Sequence, residues 1–505
     1  MPGIRADNSW LQYNYETRPL TAKQWDESRY IHQPYIGYYI WPKILEVYAP
    51  SSQQPCLDPE MRELTDCERE IYSFFDDPQN IEKLVNYFSL EEKKGKDKFS
   101  TLRCVLFKGV FRNHGIVHLK RFLPHLQRLV MDKHESSQRC AAEIAAGIVR
   151  GAKHWPFQMT FDLWQALLPI IRIAIANLTE ETVIDWGVCF ATMQQHRDPN
   201  RHHWLLECLM EDPPLKDSFV ECGRLYVLQS ALNQQSWRVM ELLQRLLVRL
   251  ENRLLMNPFQ NVRERLGSVL VTIFNADLRF PHNTTDIVIP RMQTLIDKIV
   301  PKLEQLKKDD DIDKLSNLDK DETLLEKVAN VSVDESKETS KSRVEEQETP
   351  IRLLKTVCKW ITISLAPSQY IMSPGFYQIF PIICQLENSE ADEELNKSCL
   401  RTLATLAQAF TLPEDMSIAL TAVKKVSEHS SWSARFTSLE FLQVLVFHNM
   451  GIILSNALWT NCVKDTVLHL LEDDRLEVRE KASRVLGGLL HCTFITDHEK
   501  LLASF

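Results

Sequence analysis

An all-α chain of stacked antiparallel helix pairs is what these 505 residues predict, and three observations carry the prediction. First, an arginine recurs at the start of successive apolar helical patterns, at Arg103, Arg139, Arg224, Arg263, Arg352, Arg401, Arg435 and Arg479. The intervals are 36, 85, 39, 89, 49, 34 and 44 residues, and the two long ones are about twice the others. One long gap contains a helix with no arginine at its phase point, around Asp185 and Trp186, and the other contains a charged insertion. Second, glycine is scarce, 14 of 505 residues, which suits a chain with few strand turns or phosphate-cradling loops. Third, two apolar helices per unit of about 40 residues leave no unit able to bury its own core, so units must stack. These features define a HEAT/armadillo-like α-solenoid, with about nine helix pairs expected.

Residues 1–64 do not fit the repeat. They gather Trp10, Trp25, Tyr35, Tyr38, Tyr39, Trp41 and Tyr48 around Pro34, Pro42 and Pro50, which reads as an extended packing segment. The helical pattern starts at Thr65, where Thr65 or Asp66 is placed to cap a first turn containing Glu68 and Glu70. HEAT-like repeats then run over 65–306. An acidic insertion follows at 307–349. The stretch 305–349 holds 14 acidic and 8 basic side chains, a net −6 out of a chain total of −9, and its polarity leaves too little apolar surface to offset ordering. A solvated, disordered linker is expected, with a partner-binding acidic tail as the alternative. Repeats resume over 350–505. Two uncharged runs, Ile361–Leu386 and Phe441–Val463, contain prolines or several amides and read as pairs of buried helices rather than membrane spans.

The chemistry of the chain points away from catalysis. A net charge of −9 gives no general attraction to nucleic acid or an anionic membrane, and neither is expected as a partner. Cysteines scattered in apolar helices (Cys104, Cys140, Cys189, Cys222, Cys384, Cys399) suit small buried side chains in a reducing compartment, so nucleus and cytoplasm are the expected locations. His196–Asn200 reads HRDPN, but proline follows the aspartate directly and no Gly-rich loop or DFG element accompanies it. His196, His202, His203, Cys189 and Cys208 lack a zinc-ligand spacing. Lys93, Lys94, Lys96 and Lys98 lie among acids in a loop-like EEKKGKDK and are a weak import signal at best. No enzyme motif, metal site or required cofactor is expected.

Particular stretches carry a resemblance. GYYIWPKILEVYAP (37–50), SLEEKKGKDKF (89–99), HESSQRCAAEIAAGIVRGAKHW (134–155), DWGVCFAT (185–192), RLYVLQSALNQQSWRV (224–239), NVRERLGSVL (261–270) and LLEDDRLEVREKASRVLGGLL (470–490) resemble, in co-linear order, the large HEAT-repeat proteasome activators related to the yeast bleomycin-sensitivity protein. The resemblance implies a non-catalytic dome on the outer alpha ring of the proteasome core particle. Such a dome admits peptides and acetylated proteins, including histones, without ATP or ubiquitin. It also implies a nuclear and cytoplasmic protein linked to DNA damage, DNA repair and spermatogenesis. Inositol polyphosphate binding follows by resemblance too, with ligands that match no position here. Family members are several times longer. This chain resembles a part towards their carboxyl end and stops at LLASF, before the Tyr-Tyr-Ala-like tail that opens the gate, so gate opening by this chain alone is not expected.

The family also has a bromodomain-like region that overlaps the last repeats. Its acetyl-lysine positions fall on Ile453, Thr493 and Phe494, where the family pattern is phenylalanine, asparagine and phenylalanine. An acetyl-lysine pocket needs an amide donor and apolar walls. Phe494 is retained, Ile453 keeps only bulk, and Thr493 offers a hydroxyl for an amide. Two readings therefore stand: a proteasome-activator segment, or an acetyl-lysine histone-binding chromatin scaffold that works without the proteasome. For the eight arginines the sequence suggests a structural role, pairing with an Asp or Glu of the neighbouring turn to fix repeat register.

Overall fold

The computed structural model describes residues 22–23, 64–90, 98–195, 202–211, 218–233, 240–253, 255–274, 291–304, 336–365, 373–387 and 392–496. Of 240–241, 252–253 and 336–349 it describes the backbone alone. The aromatic segment (except 22–23), Lys93, Lys94 and Lys96, the HRDPN stretch, the insertion up to residue 335, and LLASF lie outside the described residues. Among those described there are nineteen α-helices and no β-strand.

The helices begin with α1 (Asp66–Asp76). Thr65 caps it with a reciprocal box: its hydroxyl accepts from Glu68 N at 3.3 Å, and its own N–H donates to the Glu68 carboxylate at 2.9 Å. Next come α2 (Pro78–Phe88), α3 (Thr101–His114), α4 (Leu119–Met131), α5 (Glu135–Gly151), α6 (Phe157–Ala176), α7 (Val183–Met193), α8 (His203–Met210), α9 (Ser218–Asn233) and α10 (Met240–Arg253). The second half contains α11 (Gln260–Phe274), α12 (Met292–Leu303), α13 (Ser336–Ser364), α14 (Phe380–Leu386), α15 (Glu393–Gln408), α16 (Met416–Ser427), α17 (Trp432–Leu454), α18 (Ala457–Leu471) and α19 (Leu476–His491).

The chain divides into two compact units, residues 1–248 with 275–290, and 249–274 with 291–505. In unit 1 the helices alternate between two rows: α3, α5, α7 and α9 pack in series, and α2, α4, α6 and α8 form the other series. Unit 2 repeats the plan with α11, α13, α15, α17 and α19 in one row and α14, α16 and α18 in the other; α12 reaches that row through the short 3-10 turn Pro374–Gln378. Amphipathic spacing explains the burial. In α4 the buried residues Leu119, Phe122, Leu126, Leu129 and Val130 share one face. Neighbours in the first-named rows approach so closely that only glycine fits at the contact. A Cβ on Gly147 of α5 would stand 2.5 Å from Phe107 Cβ and 2.8 Å from Cys104 O of α3, and one on Gly267 of α11 would stand 2.9 Å from Trp360 N of α13.

Among the described residues two helices, α6 and α17, are long and apolar enough to cross a membrane, yet half of each apolar window is buried within the protein. In α6 the buried face includes Leu163, Trp164, Leu167, Ile170 and Ile171. The two uncharged runs singled out in the sequence each contain more than one helix: 361–386 spans the end of α13 and all of α14, and 441–463 spans the end of α17 and the start of α18.

Of the acidic insertion expected at 307–349, residues 336–349 have a helical backbone that runs from Ser336 through Pro350 into α13. The segment is rich in Glu, Lys, Gln and Arg, all good helix formers whatever their net charge.

Candidate functional site

The chemistry-bearing residues concentrate at the N-terminal ends of the helices in the α3–α9 and α11–α19 rows. Arg263, Arg435 and Arg479 each occupy the fourth position of their helix. Each guanidinium folds back to a carbonyl six residues earlier: Arg263 Nη1 donates to Asn257 O (3.0 Å) and also to Pro258 O (2.6 Å), Arg435 Nη1 to His429 O (2.8 Å) and Ser430 O (3.0 Å), and Arg479 Nη1 to Asp473 O (2.7 Å). The arginine thereby closes the turn inside its own repeat, giving donors to carbonyls that the preceding helix end and turn leave over. In unit 1 the reach is longer. Arg103 donates to Phe88 O (3.0 Å) and Arg224 to Leu209 O (3.4 Å), each fifteen residues back.

The remaining donors point to acids of a following helix in the row, or of the turn that leads into it. Arg103 of α3 meets Glu143 of α5 at 3.4 Å, and Arg139 of α5 meets Asp185 of α7 at 3.7 Å as well as its own Glu135 at 2.9 Å. Arg263 donates to both Glu394 oxygens at 2.9 and 3.0 Å, and Lys355 of α13 joins it, at 2.7 Å from Glu394 and 2.6 Å from Asp392. Arg435 grips Asp473 with two bonds of 2.6 and 2.8 Å and adds Asp474 at 2.8 Å. Planar two-point pairing of this kind is specific to arginine.

Burial acts differently on the acids that meet these cations between helices in the two units. Glu143 is 1% exposed, and burial pushes its carboxyl up to about 7 against the opposing pull of Ser100 N–H, Arg103 and Arg139. Burial also raises Asp185, in spite of Arg139 and Phe99 N–H. In unit 2 burial is outweighed: the bonds from Arg435 and Arg475 N–H pull Asp473 down to about 2, and those from Lys355 and Leu395 N–H hold Asp392 below the usual carboxylate range.

Not every arginine singled out in the sequence sits in this arrangement. Arg401 is exposed and lies two turns into α15, because Asn396 holds the fourth position there. Arg352 is half-buried, and in α13 Lys355 meets Asp392 and Glu394 while Lys359 meets Glu264. In α5 and α7 the fourth residues are Gln138 and Trp186. Gln138 donates to Val130 O and Asp132 O, both at 2.7 Å, and accepts from Trp186 Nε1 at 3.0 Å. Sequence reasoning placed an arginine-free phase point at Asp185 and Trp186 but missed Gln138 and Asn396, although the uneven intervals 49 and 34 on either side of Arg401 were a signal: measured from Asn396 they become 44 and 39.

The acetyl-lysine candidates share no cavity among those described. Ile453, on α17, is fully buried, and Phe494 is 3% exposed. Thr493 is exposed and has φ 60°, the left-handed region. It follows the last turn of α19 in a Schellman arrangement, with Phe494 N bonded to Leu489 O at 3.0 Å and Thr493 N to Leu490 O at 3.1 Å. A 620 Å³ cavity in unit 1 is lined by Tyr87, Phe88, Lys98, Leu102, Leu106 and Arg139 among others. A 190 Å³ cleft in unit 2 is lined by Arg263, Lys355, Lys359, Glu394, Lys397 and Arg401; apart from Arg401, these cations already meet Glu394, Glu264 or Glu393.

Paired rows of helices, turn-closing arginines and ion pairs between successive helices define a HEAT-repeat-type helical scaffold. Residues 1–230 match the family model described as proteasome activator complex subunit 4-like, HEAT repeat-like. Proteasome activator complex subunit 4 of Homo sapiens is 41% identical over 503 residues, which is 98% of this chain and 26% of that protein. Subunit 4A of Danio rerio is 40% identical over 510 residues, covering 100% and 27%, and proteasome activator subunit 4 of Arabidopsis thaliana is 22% identical over 423 residues, covering 78% and 22%. The chain belongs to the proteasome activator complex subunit 4-like family. It spans about a quarter of the length of the human and zebrafish relatives it matches.

Proposed function

We propose that this chain is a scaffold segment of a proteasome activator, one that contributes to docking on the alpha ring of the core particle and to ubiquitin- and ATP-independent degradation of peptides and acetylated proteins, histones among them. The observation that carries the reading is 41% identity sustained over 98% of the chain with a protein named as a proteasome activator subunit. A stacked solenoid suits the role, since it offers a long surface of independently variable turns. The test is co-sedimentation of the purified chain with core particles, followed by fluorogenic peptide hydrolysis. Association that survives physiological salt supports the proposal, and a chain that stays wholly in the unbound fraction at micromolar concentration rejects it.

A further inference from the structure

The outward face of α3 is built like an inter-helix contact, yet no described residue covers it. Leu102, Val105 and Leu106 are 78%, 57% and 42% exposed, and with Gly109 they follow the i, i+3, i+4, i+7 spacing of one helical face. The 620 Å³ cavity lies against Leu102, Val105 and Leu106, and the exposed Tyr87 at the end of α2 lines it too. Gly109 has open space within 4 Å of where a Cβ would stand, whereas Gly147, in the same row, touches the neighbouring helix at the same kind of position. The α3 face thus carries the same device with the neighbour missing among the described residues.

Charge defines what fits. The α3 sequence TLRCVLFKGVFRNH contains no carboxylate. Towards its C-terminal half, Lys108 and Arg112 stand beside Arg150 of α5, and none of the three has a carboxylate within salt-bridge distance among the described residues. Burial, then the fields of Arg150 and Arg112, hold Lys108 below its ordinary value, and burial does the same to Arg150. Glu143, the buried acid of α5, is already bonded to Ser100 N–H and Arg103. Helix C-termini offset part of this crowding of cations, but an apolar stripe that runs into three unpaired cations still complements a helix with the reverse pattern.

We propose that this face of α3 receives an amphipathic helix from a partner polypeptide, its apolar residues on Leu102, Val105 and Leu106 and acidic residues over Lys108, Arg112 and Arg150. The mode is helix-in-groove recognition, with anchors read at i, i+3, i+4 and i+7. Nothing in it depends on core-particle binding, so it is tested with the full chain alone. The probe is a fluorescein-labelled peptide of about 16 residues, leucines at i, i+3, i+4 and i+7 followed by glutamates, monitored by anisotropy. Binding in the micromolar range is expected. Leu106→Glu and Arg112→Glu should each weaken it by about tenfold or more while leaving circular dichroism unchanged. A peptide ending in lysines should bind the parent chain poorly and Arg112→Glu better. The inference is overturned if the glutamate peptide fails to bind at about 1 mM, or if the lysine peptide binds equally. It is also overturned if sedimentation shows a dimer that Leu106→Glu dissolves, because a second copy would then be the occupant.

Discussion

The two units solve one problem, closing a helical turn with a cation and tying it to the next helix, with opposite electrostatics. In unit 1 the acids are taken out of water: Glu143 rises to about 7 and Asp185 rises with it. In unit 2 hydrogen bonds outweigh burial: the two-point grip of Arg435 and the Arg475 N–H take Asp473 down to about 2, and Lys355 with Leu395 N–H lowers Asp392. The distance from arginine to carbonyl differs in step, fifteen residues in unit 1 against six in unit 2. At the fourth helical position the arginine lies over the carbonyls of the turn before it, whereas Arg103 follows a connection of twelve residues and Arg224 stands at the seventh position of α9, and each reaches the last turn of the preceding helix. The same side chain therefore serves both, and the surroundings decide whether its acid partner is favoured charged or neutral.

The largest expected effect removes the best-connected arginine. Arg435 serves Asp473, Asp474 and two carbonyls at once, so Arg435→Ala leaves a largely buried carboxylate and two acceptors without donors. A loss of about 4 kcal/mol is expected, against less than about 0.5 kcal/mol for the exposed Arg401→Ala. Hydrogen exchange over α17 to α19, read alongside urea unfolding, measures both. Equal losses for the two variants would remove the role assigned to the fourth helical position.

Titration tests the contrast between the units directly. A carboxyl whose folded value is raised gives stability that is full below its unfolded value and is lost as pH rises through the folded one. For Glu143 the window runs from about 4.5 to about 7, and about 3 kcal/mol of the parent's stability should fade across it. Glu143→Gln should flatten that slope and leave unit 1 relatively more stable at pH 8. Asp473 has the opposite sign: its contribution is present above its ordinary value of 3.8 and is lost as pH falls towards 2. Asp473→Asn should therefore change the profile only on the acid side. Unfolding from pH 2 to 8 decides it, and identical profiles for the parent chain and both variants would erase the difference between the units.

Packing sharpens the comparison from its other side, because here the units are alike. Gly147→Ala and Gly267→Ala would drive a Cβ to within 2.5 Å of Phe107 Cβ and 2.9 Å of Trp360 N, at a cost of about 2 kcal/mol each. Gly487→Ala, with open space around it, should instead gain up to about 1 kcal/mol from helix propensity. Calorimetry of the three variants is the check. A stabilised Gly147→Ala would mean that the rows are looser than the contact distances imply.

The all-helical repeat was legible because its signal is periodic. Apolar spacing and a recurring arginine survive any amount of surface variation, and the Thr65 cap is a local rule with local residues. What stayed hidden depends on distance or on substitution. Glu394 is 131 residues from Arg263, with the charged insertion between them, and no interval links the two. Gln138 and Asn396 stand at the fourth helical position without being arginine, so a search for one residue type slid past them to Arg139 and Arg401; only at Trp186 did the spacing show the gap. At the C-terminal turn the sequence showed three residues but not their geometry. Ile453 and Phe494 prove to be buried, and Thr493 has a backbone role that its side-chain chemistry does not announce.

That backbone role yields the smallest effect, and it separates two explanations of one position. Thr493 adopts φ 60° at the residue after the C-cap of α19, where a β-branched side chain is strained and glycine or asparagine is at ease. Phe494 and Leu489, joined by the 3.0 Å bond, are both buried and hold the turn in place whatever occupies 493. Thr493→Asn should therefore stabilise the last helix pair by about 1 kcal/mol, and Thr493→Gly by a similar amount. The resemblance to an acetyl-lysine reader makes a different demand, that asparagine but not glycine creates affinity for an acetylated histone peptide. Thermal unfolding and peptide binding on the same two variants distinguish these. A stability gain shared by both, with no binding in either, assigns the family's asparagine to the helix end; binding by Thr493→Asn alone assigns it to the ligand. Destabilisation by both would show that the turn does not need a left-handed residue at 493.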